Sequence, residues 1–399
     1  MVKFSLLLAQ IGVIFTLNEF DVVESMSRVH VPVGNDGDGL YSAATKGCFD
    51  VIQAASPLVL DEISKQYPQQ RSTGSNAYHI ADYGTADAGT SLGLLSKMVK
   101  QIRRISGVED KEVVLHYEDQ LTNEWKSVFN HVLGNIEVRD AYDNLVESPM
   151  GLGNVFVEAC GVTFHKQCYP SESIDFGVSF TAMHWLSTSP ASLKGTPAMH
   201  AVRCLSPAVE ERDQAAHDWS CILEARSKEL VKGGRFVCVN FCCSEEGYFL
   251  GQTDSGVSMW DSFEASWNKL KEQGLIDEDE RLGVSFPSYY RKNSELLEGI
   301  ANVPSLRVSS IAEKIVRCPY RELWRSGKTG MTARQYAEWF VPTTRTWSHS
   351  TFKEALREGR EDKEEVLEQF WENYMDLVEL DPSSHGMDYV HNYIVLEKL

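Results

Sequence analysis

Three acids and one aromatic dipeptide carry most of the chemistry this chain could perform. In "YHIADYGTADAGTSL", residues 78–92, aromatic and apolar residues lead into Asp82, just before Gly84, and the next glycine comes at Gly89. The spacing is G-x-x-x-x-G. A dinucleotide fingerprint needs three glycines so that backbone can approach a pyrophosphate at a helix N-terminus, and a phosphate loop needs a following Gly-Lys-Ser/Thr. Neither is present, which leaves a strand ending in an acid and a turn of small residues, a shape suited to a nucleoside without a phosphate. The Glu118-Asp119 pair closes a second apolar run, "EVVLHYED". A carboxylate there can accept both hydroxyls of a ribose. In dinucleotide enzymes that acid follows the turn by roughly 20 residues, whereas Asp119 lies 37 positions beyond Asp82. One acid at a strand end is commonly a helix cap or simply exposed. Two on adjacent strands with a small-residue turn between them point to S-adenosylmethionine. His184 and Trp185, in "SFTAMHWLSTSP", follow another apolar run and would face the same edge.

Parallel strands are the elements that bring such residues together, because ligands of open α/β sheets lie beyond the carboxyl ends of the strands, where the strand order reverses. The chain alternates accordingly. Residues 41–66 read as helix, 77–83 as strand, "TSLGLLSKMVKQIRRIS" as an amphipathic helix, 112–119 as a buried strand and "LTNEWKSVFNHVL" as helix. "GNVFVEACG" and "SIDFGVSFTAMHW" are further strands. The segment from Ser206 to Cys243 reads as helix, stop and strand, with Gly233 and Gly234 expected to end the helix. The expected fold is a Rossmann-like α/β sheet with an inserted, mostly helical cap. Its units are an N-terminal extension over 1–30, a cofactor-binding core over 31–250, a cap of helices and loops over 251–350, and a C-terminal helix (351–378) and strand completing the core over 351–399.

Composition removes several classes. A chain of 399 residues with 43% hydrophobic content can bury a full core. A net charge of −19 argues against a nucleic-acid partner, whose affinity rests largely on Lys and Arg. Nine scattered cysteines without a C-x-x-C spacing suggest reduced thiols and a cytoplasmic protein. Cys160, His165 and Cys168 have no second half to make a structural zinc site, and no metal is expected. The opening "MVKFSLLLAQIGVIFTL" is too short and too interrupted, by Gln10, for stable membrane insertion, though it leaves a signal peptide possible.

In order along the chain stand "LYSAATKGC", "DYGTADAG", "YEDQLTNEWKSVF", "GVTF", "MHWLS", "LKGTPAMHAVRCLSP" and "VKGGRFV". Beyond them comes "MWDSFEASWNKLKEQGLIDEDERLGVSFPSYYRKNSELL". This ordered set, from about residue 38 onward, resembles the SABATH family of S-adenosylmethionine-dependent carboxyl methyltransferases acting on small acids such as salicylate, benzoate and jasmonate. The resemblance implies S-adenosylmethionine as cofactor, a small carboxylic acid as acceptor and a homodimer. It implies cofactor roles for Asp82, Gly84 and Thr85 in the turn, Asp119 on the ribose, Thr163 and Phe164 beside the adenine, and Tyr41 and Thr45 near the cofactor carboxylate. It places His184 and Trp185 in the acceptor pocket, with the indole N–H on the acceptor carboxylate, and Trp260 as an aromatic wall from the cap.

Departures from the pattern fall mainly on the acceptor side. Cys48 stands where the family has a carboxylate-binding Gln, Thr181 where it has a Tyr, and Ala88 where it has the turn's second Gly, with Gly89 one place later. The expected reaction needs no general base, because a carboxylate is already a nucleophile and a sulfonium a good leaving group. The protein must align the two and exclude water, for which Trp185, Trp260, Phe180 and Tyr289 are aromatic candidates. Rival readings are a nitrogen or phenol methyltransferase with His184 as base, a non-catalytic cofactor-binding protein, and a nicotinamide-dependent dehydrogenase.

Overall fold

The structure is a computed structural model and describes residues 34, 36–67, 77–251 and 257–399; the expected extension over 1–30 lies outside them. The strands are β1 (Tyr78–Tyr83), β2 (Val113–Glu118), β3 (Val155–Cys160), β4 (Ile174–Phe180), β5 (Lys194–Gly195), β6 (Leu230–Phe241), β7 (Val284–Ser285), β8 (Leu306–Val316) and β9 (Tyr389–Lys398). Seven of them make one sheet in the order β3-β2-β1-β4-β6-β9-β8, while β5 and β7 pair separately. Strands β3, β2, β1, β4 and β6 run parallel, and β9 is antiparallel to both of its neighbours. The chain moves outward from β1 through β2 to β3, then returns to place β4 on the other side of β1. The order therefore reverses between β1 and β4, where a ligand crevice opens in such sheets.

The central strands are covered on both faces, as parallel strands in α/β proteins usually are. Every residue of β4 is buried. The helices are α1 (Leu40–Ala44), α2 (Lys46–Gln66), α3 (Leu92–Ser106), α4 (Trp125–Val132), α5 (Pro197–Leu205), α6 (Val209–Glu229), α7 (Met259–Glu272), α8 (Glu278–Arg281), α9 (Asn293–Ala301), α10 (Pro319–Arg325), α11 (Ala333–Ala355) and α12 (Lys363–Leu380). Helix α3 shows the local logic. Leu92, Leu95, Met98, Val99 and Ile102 recur at helical spacing and are buried, and the helix stops at Gly107, left-handed at φ 69°.

Four local expectations change. The helix expected over 41–66 is two, because at Thr45 (φ −96°, ψ 56°) the chain turns and both the amide and the hydroxyl donate to the Tyr41 carbonyl. Gly233 and Gly234 do not end α6, whose last residue is Glu229. They form a bulge in β6, where the register against β4 jumps from Leu230 to Arg235 and Gly233 takes φ 77°. The helix expected over 351–378 is also two, α11 and α12 being separated by an extended Leu356 (ψ 140°) and a left-handed Gly359 (φ 83°). Finally, 306–316, inside the stretch read as helices and loops, is the edge strand β8. Its Ser, Glu and Lys content obscures it, and such polarity is how exposed sheet edges avoid pairing with other chains.

Candidate active site

Four parallel strands end at one place. Gly84, Asp119, Gly161 and Thr181, each the residue after the last of β1, β2, β3 and β4, line a single cavity of about 300 Å³ together with Tyr41, Ala86, Thr163, Phe164, Phe180 and Trp185. Gly84 is required there twice over. Its φ is 73°, and a Cβ would lie 2.2 Å from that of Ala182. Its amide bonds the Glu118 carboxylate at 3.0 Å, which joins the first turn to the second strand.

The remainder of the turn is strained and held in place. Ala86 (φ 51°) and Ala88 (φ 64°) are left-handed without being glycine, a conformation that costs an L-residue roughly 1–2 kcal/mol. The Ala86 amide donates to Asp119 Oδ2 at 2.7 Å, and Asn123 donates to the Ala86 carbonyl at 2.7 Å. Asp87 reaches back to α1, accepting from the Ser42 amide at 2.8 Å as well as from its hydroxyl. That docking explains the displaced glycine, since a Cβ at Gly89 would sit 2.3 Å from Ser42 Oγ. Thr181, β-branched and also left-handed at φ 58°, is a further outlier lining the cavity.

Asp119 lines the cavity with each oxygen accepting one backbone N–H, from Ala86 at 2.7 Å and from Gln120 at 2.8 Å. Burial raises its pKa to about 6 against the pull of those two amides. Asp82 is raised to about 6 for the same reason, but its partners are internal, Ser91 Oγ at 2.6 Å and Thr85 Oγ1 at 3.1 Å. Asp82 and Thr85 thus stand behind the turn and shape it, while Gly84 and Ala86 form its cavity face.

The loop after β3 supplies another wall, and one buried cation holds it. Arg226 of α6 is fully buried, donates to the carbonyls of Phe164 and Lys166 at 2.9 Å each, and pairs with Glu229 at 2.7 Å. Glu229 also accepts from the Tyr83 hydroxyl at 2.6 Å. Beyond Thr163 and Phe164, His165 bonds Thr163 Oγ1 at 2.9 Å and faces the Trp185 carbonyl.

A second, smaller pocket of about 40 Å³ adjoins the first. Tyr41, Thr181 and Trp185 line both. The smaller one also takes Thr45, Cys48, His184, Phe241, Leu250, Tyr290, Trp347, Met387 and Tyr389. Thr45, read as a cofactor neighbour, falls on this side. The Cys48 thiol is pushed up to about 11 by burial, and the hydroxyls of Thr45, Thr181, Tyr389 and Tyr41 surround it. His184 is wrapped by the rings of Trp185, Phe241 and Tyr290 at 4.6–5.6 Å. Trp260 lines neither cavity. It is fully buried, its N–H donates to the Leu250 carbonyl at 2.9 Å, and it packs among His200, Phe263, Phe286 and Trp347. Tyr289 is absent from both linings too, its hydroxyl bonding Glu295 at 2.6 Å, and the neighbouring Tyr290 takes the pocket position. Leu250, Tyr290, Trp347, Met387 and Tyr389 were not anticipated. Tyr389, paired with Val316 of β8 and stacked on the Phe241 ring at 6.0 Å, is legible in the sequence only as part of a terminal strand, and Trp347 only as one aromatic of a helix that has many.

Comparison with known proteins gives the family and the fold. The family described as "SAM dependent carboxyl methyltransferase" matches residues 28–399. A Petunia hybrida benzoic acid/salicylic acid carboxyl methyltransferase is 26% identical over 284 residues, covering 69% of this chain and 75% of its own. A Theobroma cacao protein bearing the name 7-methylxanthine methyltransferase 2 is 25% identical over 294 residues, covering 70% and 76%. Among solved structures, a loganic acid methyltransferase bound to S-adenosylhomocysteine superposes with a TM-score of 0.70 at 17% identity, covering 92% of this chain and 98% of that one, a likeness of fold. With the family matched across nearly its whole length, the chain belongs to the S-adenosylmethionine-dependent carboxyl methyltransferases, the SABATH enzymes its ordered motifs resemble.

Proposed function

We propose that the larger cavity holds S-adenosylmethionine, that the smaller pocket holds the carboxylic acid, and that the methyl passes between them at the wall formed by Tyr41, Thr181 and Trp185. The single observation supporting this division is that these three side chains line both spaces. The larger cavity fits the cofactor. It lies at the reversal of strand order, is floored by a glycine whose Cβ would be excluded, and presents in Asp119 a carboxylate with lone pairs left for two ribose hydroxyls. Phe164 and Thr163 would flank the adenine, and Tyr41 the methionine portion.

The cofactor supplies an electrophilic methyl on a sulfonium. Attack by a carboxylate oxygen forms the C–O bond of an ester as the C–S bond breaks, and no proton changes hands. The protein's tasks are alignment and exclusion of water. Trp185 offers an indole N–H to the carboxylate, and the rings of Phe241, Tyr290 and Trp347 close the pocket. His184, buried among rings, orients Trp185 in this reading. Residues 251–350 act as the cap, through Tyr290 and Trp347, apart from β8, which belongs to the sheet.

Among the described residues no helix is long and apolar enough to cross a membrane. Nine free cysteines support cytoplasmic residence, and the family resemblance supports a homodimer, which sedimentation would test. The reaction is tested by incubating the protein and S-adenosylmethionine with a library of small acids and detecting methylated products by mass. Mild alkali must return the free acid, as it does from an ester and not from a methylated nitrogen or phenol. Products that survive alkali would overturn the carboxylate reading.

A further inference from the structure

Two cysteines that methyl transfer does not use close the base of the loop that walls the larger cavity. Gly161, Thr163, Phe164 and Lys166 of that loop line the cavity, whereas Cys160 and Cys168, which flank it, do not. Cys160 is the last residue of β3. The two side chains hydrogen-bond one another. Cys160 Sγ also lies 3.6 Å from the Cys168 carbonyl, and Cys168 Sγ donates to the Val162 and Lys166 carbonyls at 3.3 and 3.4 Å. Both residues are half-buried and open in part to solvent, whereas Cys48, Cys238, Cys242, Cys243 and Cys318 are buried.

The pair is asymmetric. Its mutual hydrogen bond brings the Cys160 thiol down to about 7 and pushes the Cys168 thiol up. Arg226 Nη2 stands 3.7 Å from Cys168 Sγ, and a guanidinium beside a thiol pair favours a thiolate. At Cys48, Cys238 and Cys318, by contrast, burial raises the thiol. Cys160 therefore has the character of an attacking thiolate and Cys168 that of its resolving partner.

We propose that Cys160 and Cys168 form a redox modification site, which hydroperoxides oxidise to a disulfide that loosens the cofactor wall. The Cys160 sulfur attacks a peroxide oxygen, forming S–O as O–O breaks and releasing an alcohol or water. The Cys168 sulfur then displaces the sulfenic oxygen, S–S forming as S–O breaks, and its proton leaves with that oxygen as water. Two electrons pass from the sulfurs to the peroxide. Both ends of the loop are anchored: Cys160 pairs with Glu118 of β2 and accepts from the Asp119 amide at 3.2 Å, while the Cys168 amide donates to the Glu229 carboxylate. The disulfide removes the Cys168 S–H from the Val162 and Lys166 carbonyls and draws the sulfurs closer than a hydrogen bond holds them, so the loop between them must give. The effect on the cofactor rests on the assignment of the larger cavity to S-adenosylmethionine.

The full chain, treated with dilute hydrogen peroxide and then digested, tests the site directly. Trypsin cuts after Lys166, between the two cysteines, so peptides 140–166 and 167–194 should stay joined and should separate on reduction with dithiothreitol. Calorimetric affinity for S-adenosylmethionine should fall about three- to tenfold on oxidation, the worth of a lost hydrogen bond, and return on reduction. Cys168→Ser should keep the affinity of the reduced protein and lose the response to peroxide. No joined peptides, or joined peptides with unchanged affinity, overturns the inference, and so does a full response in Cys168→Ser, which would place the reactive thiol elsewhere. Failure of the reduced protein to bind S-adenosylmethionine overturns the cavity assignment as well. Should Cys168→Ser not fold, the wild-type peptides and affinities still decide.

Discussion

Asp119 carries a prediction whose sign follows from its burial. Its folded pKa of about 6 lies above the roughly 3.9 of an unfolded aspartate. Its contribution to apo stability is therefore fully present below about pH 3.9 and is lost as the pH rises through 6. Hydroxyl donors favour the ionised form, so S-adenosylmethionine affinity should weaken as the pH falls below 6. Asp119→Ala should cost roughly 1.5–3 kcal/mol of binding and flatten that pH dependence, with the melting temperature at pH 7 held or raised. Calorimetric titration at several pH values checks this, and an unchanged affinity would make Asp119 only a cap for the Ala86 and Gln120 amides. On the proposed acceptor side, Trp185→Phe keeps most of the apolar wall and deletes the donor proposed for the carboxylate. Acid turnover should fall at least tenfold with cofactor affinity intact, and Cys48→Gln should recover part of the loss by restoring a second donor. If Trp185→Phe is silent while His184→Ala abolishes transfer along with a bell-shaped pH profile, the base-dependent mechanism replaces this one.

Helix α6 and the loop after β3 depend on one another through Arg226. A guanidinium spans the Phe164 and Lys166 carbonyls and the Glu229 carboxylate at once, which an ammonium on a single point cannot do. Arg226→Lys should strand at least one buried carbonyl, costing about 1–3 kcal/mol, and should loosen the Thr163-Phe164 wall. Urea midpoint and S-adenosylmethionine affinity should fall together. A lowered midpoint with full affinity would show that the loop is placed by other contacts. Here the sequence was partly legible: "GVTF" marked the wall, but nothing local marked the arginine sixty residues on that fastens it. The bulge at Gly233 is a similar case, for two glycines after a helix read as a stop until the register of β4 against β6 gave them a place in the sheet.

The core and the proposed cap share one continuous apolar interior. A single cluster of buried apolar residues runs from Val51 and Ile63 of α2 and Leu95 and Met98 of α3 to Trp260 and Trp267 of α7, Phe352 of α11 and Phe370 of α12. β8, which interrupts the proposed cap in sequence, and β9, which follows it, complete the sheet. Hydrogen exchange read by mass spectrometry should therefore show α3 and α7 losing protection at the same denaturant concentration, both shifted upward by S-adenosylmethionine. Earlier release of α7 would mean that the cap opens as a separate unit.

Chain order alone determined the positions along the backbone: strand ends at Asp82 and Asp119, the small-residue turn, His184-Trp185, and a motif series specific enough to name the family. These depend on local conformation and on spacing, which a linear string carries. Tertiary packing chose which side of each element faces the two cavities. Asp82 turns inward because Ser91 and Thr85 return to it, and Thr45 lines the smaller pocket because α1 and α2 break there. Trp260 and Trp347 are both helical aromatics within the expected cap, yet one seals the interior and the other fronts the pocket. A helix presents all its faces to the sequence equally, and only the neighbours it packs against decide which of them becomes the site.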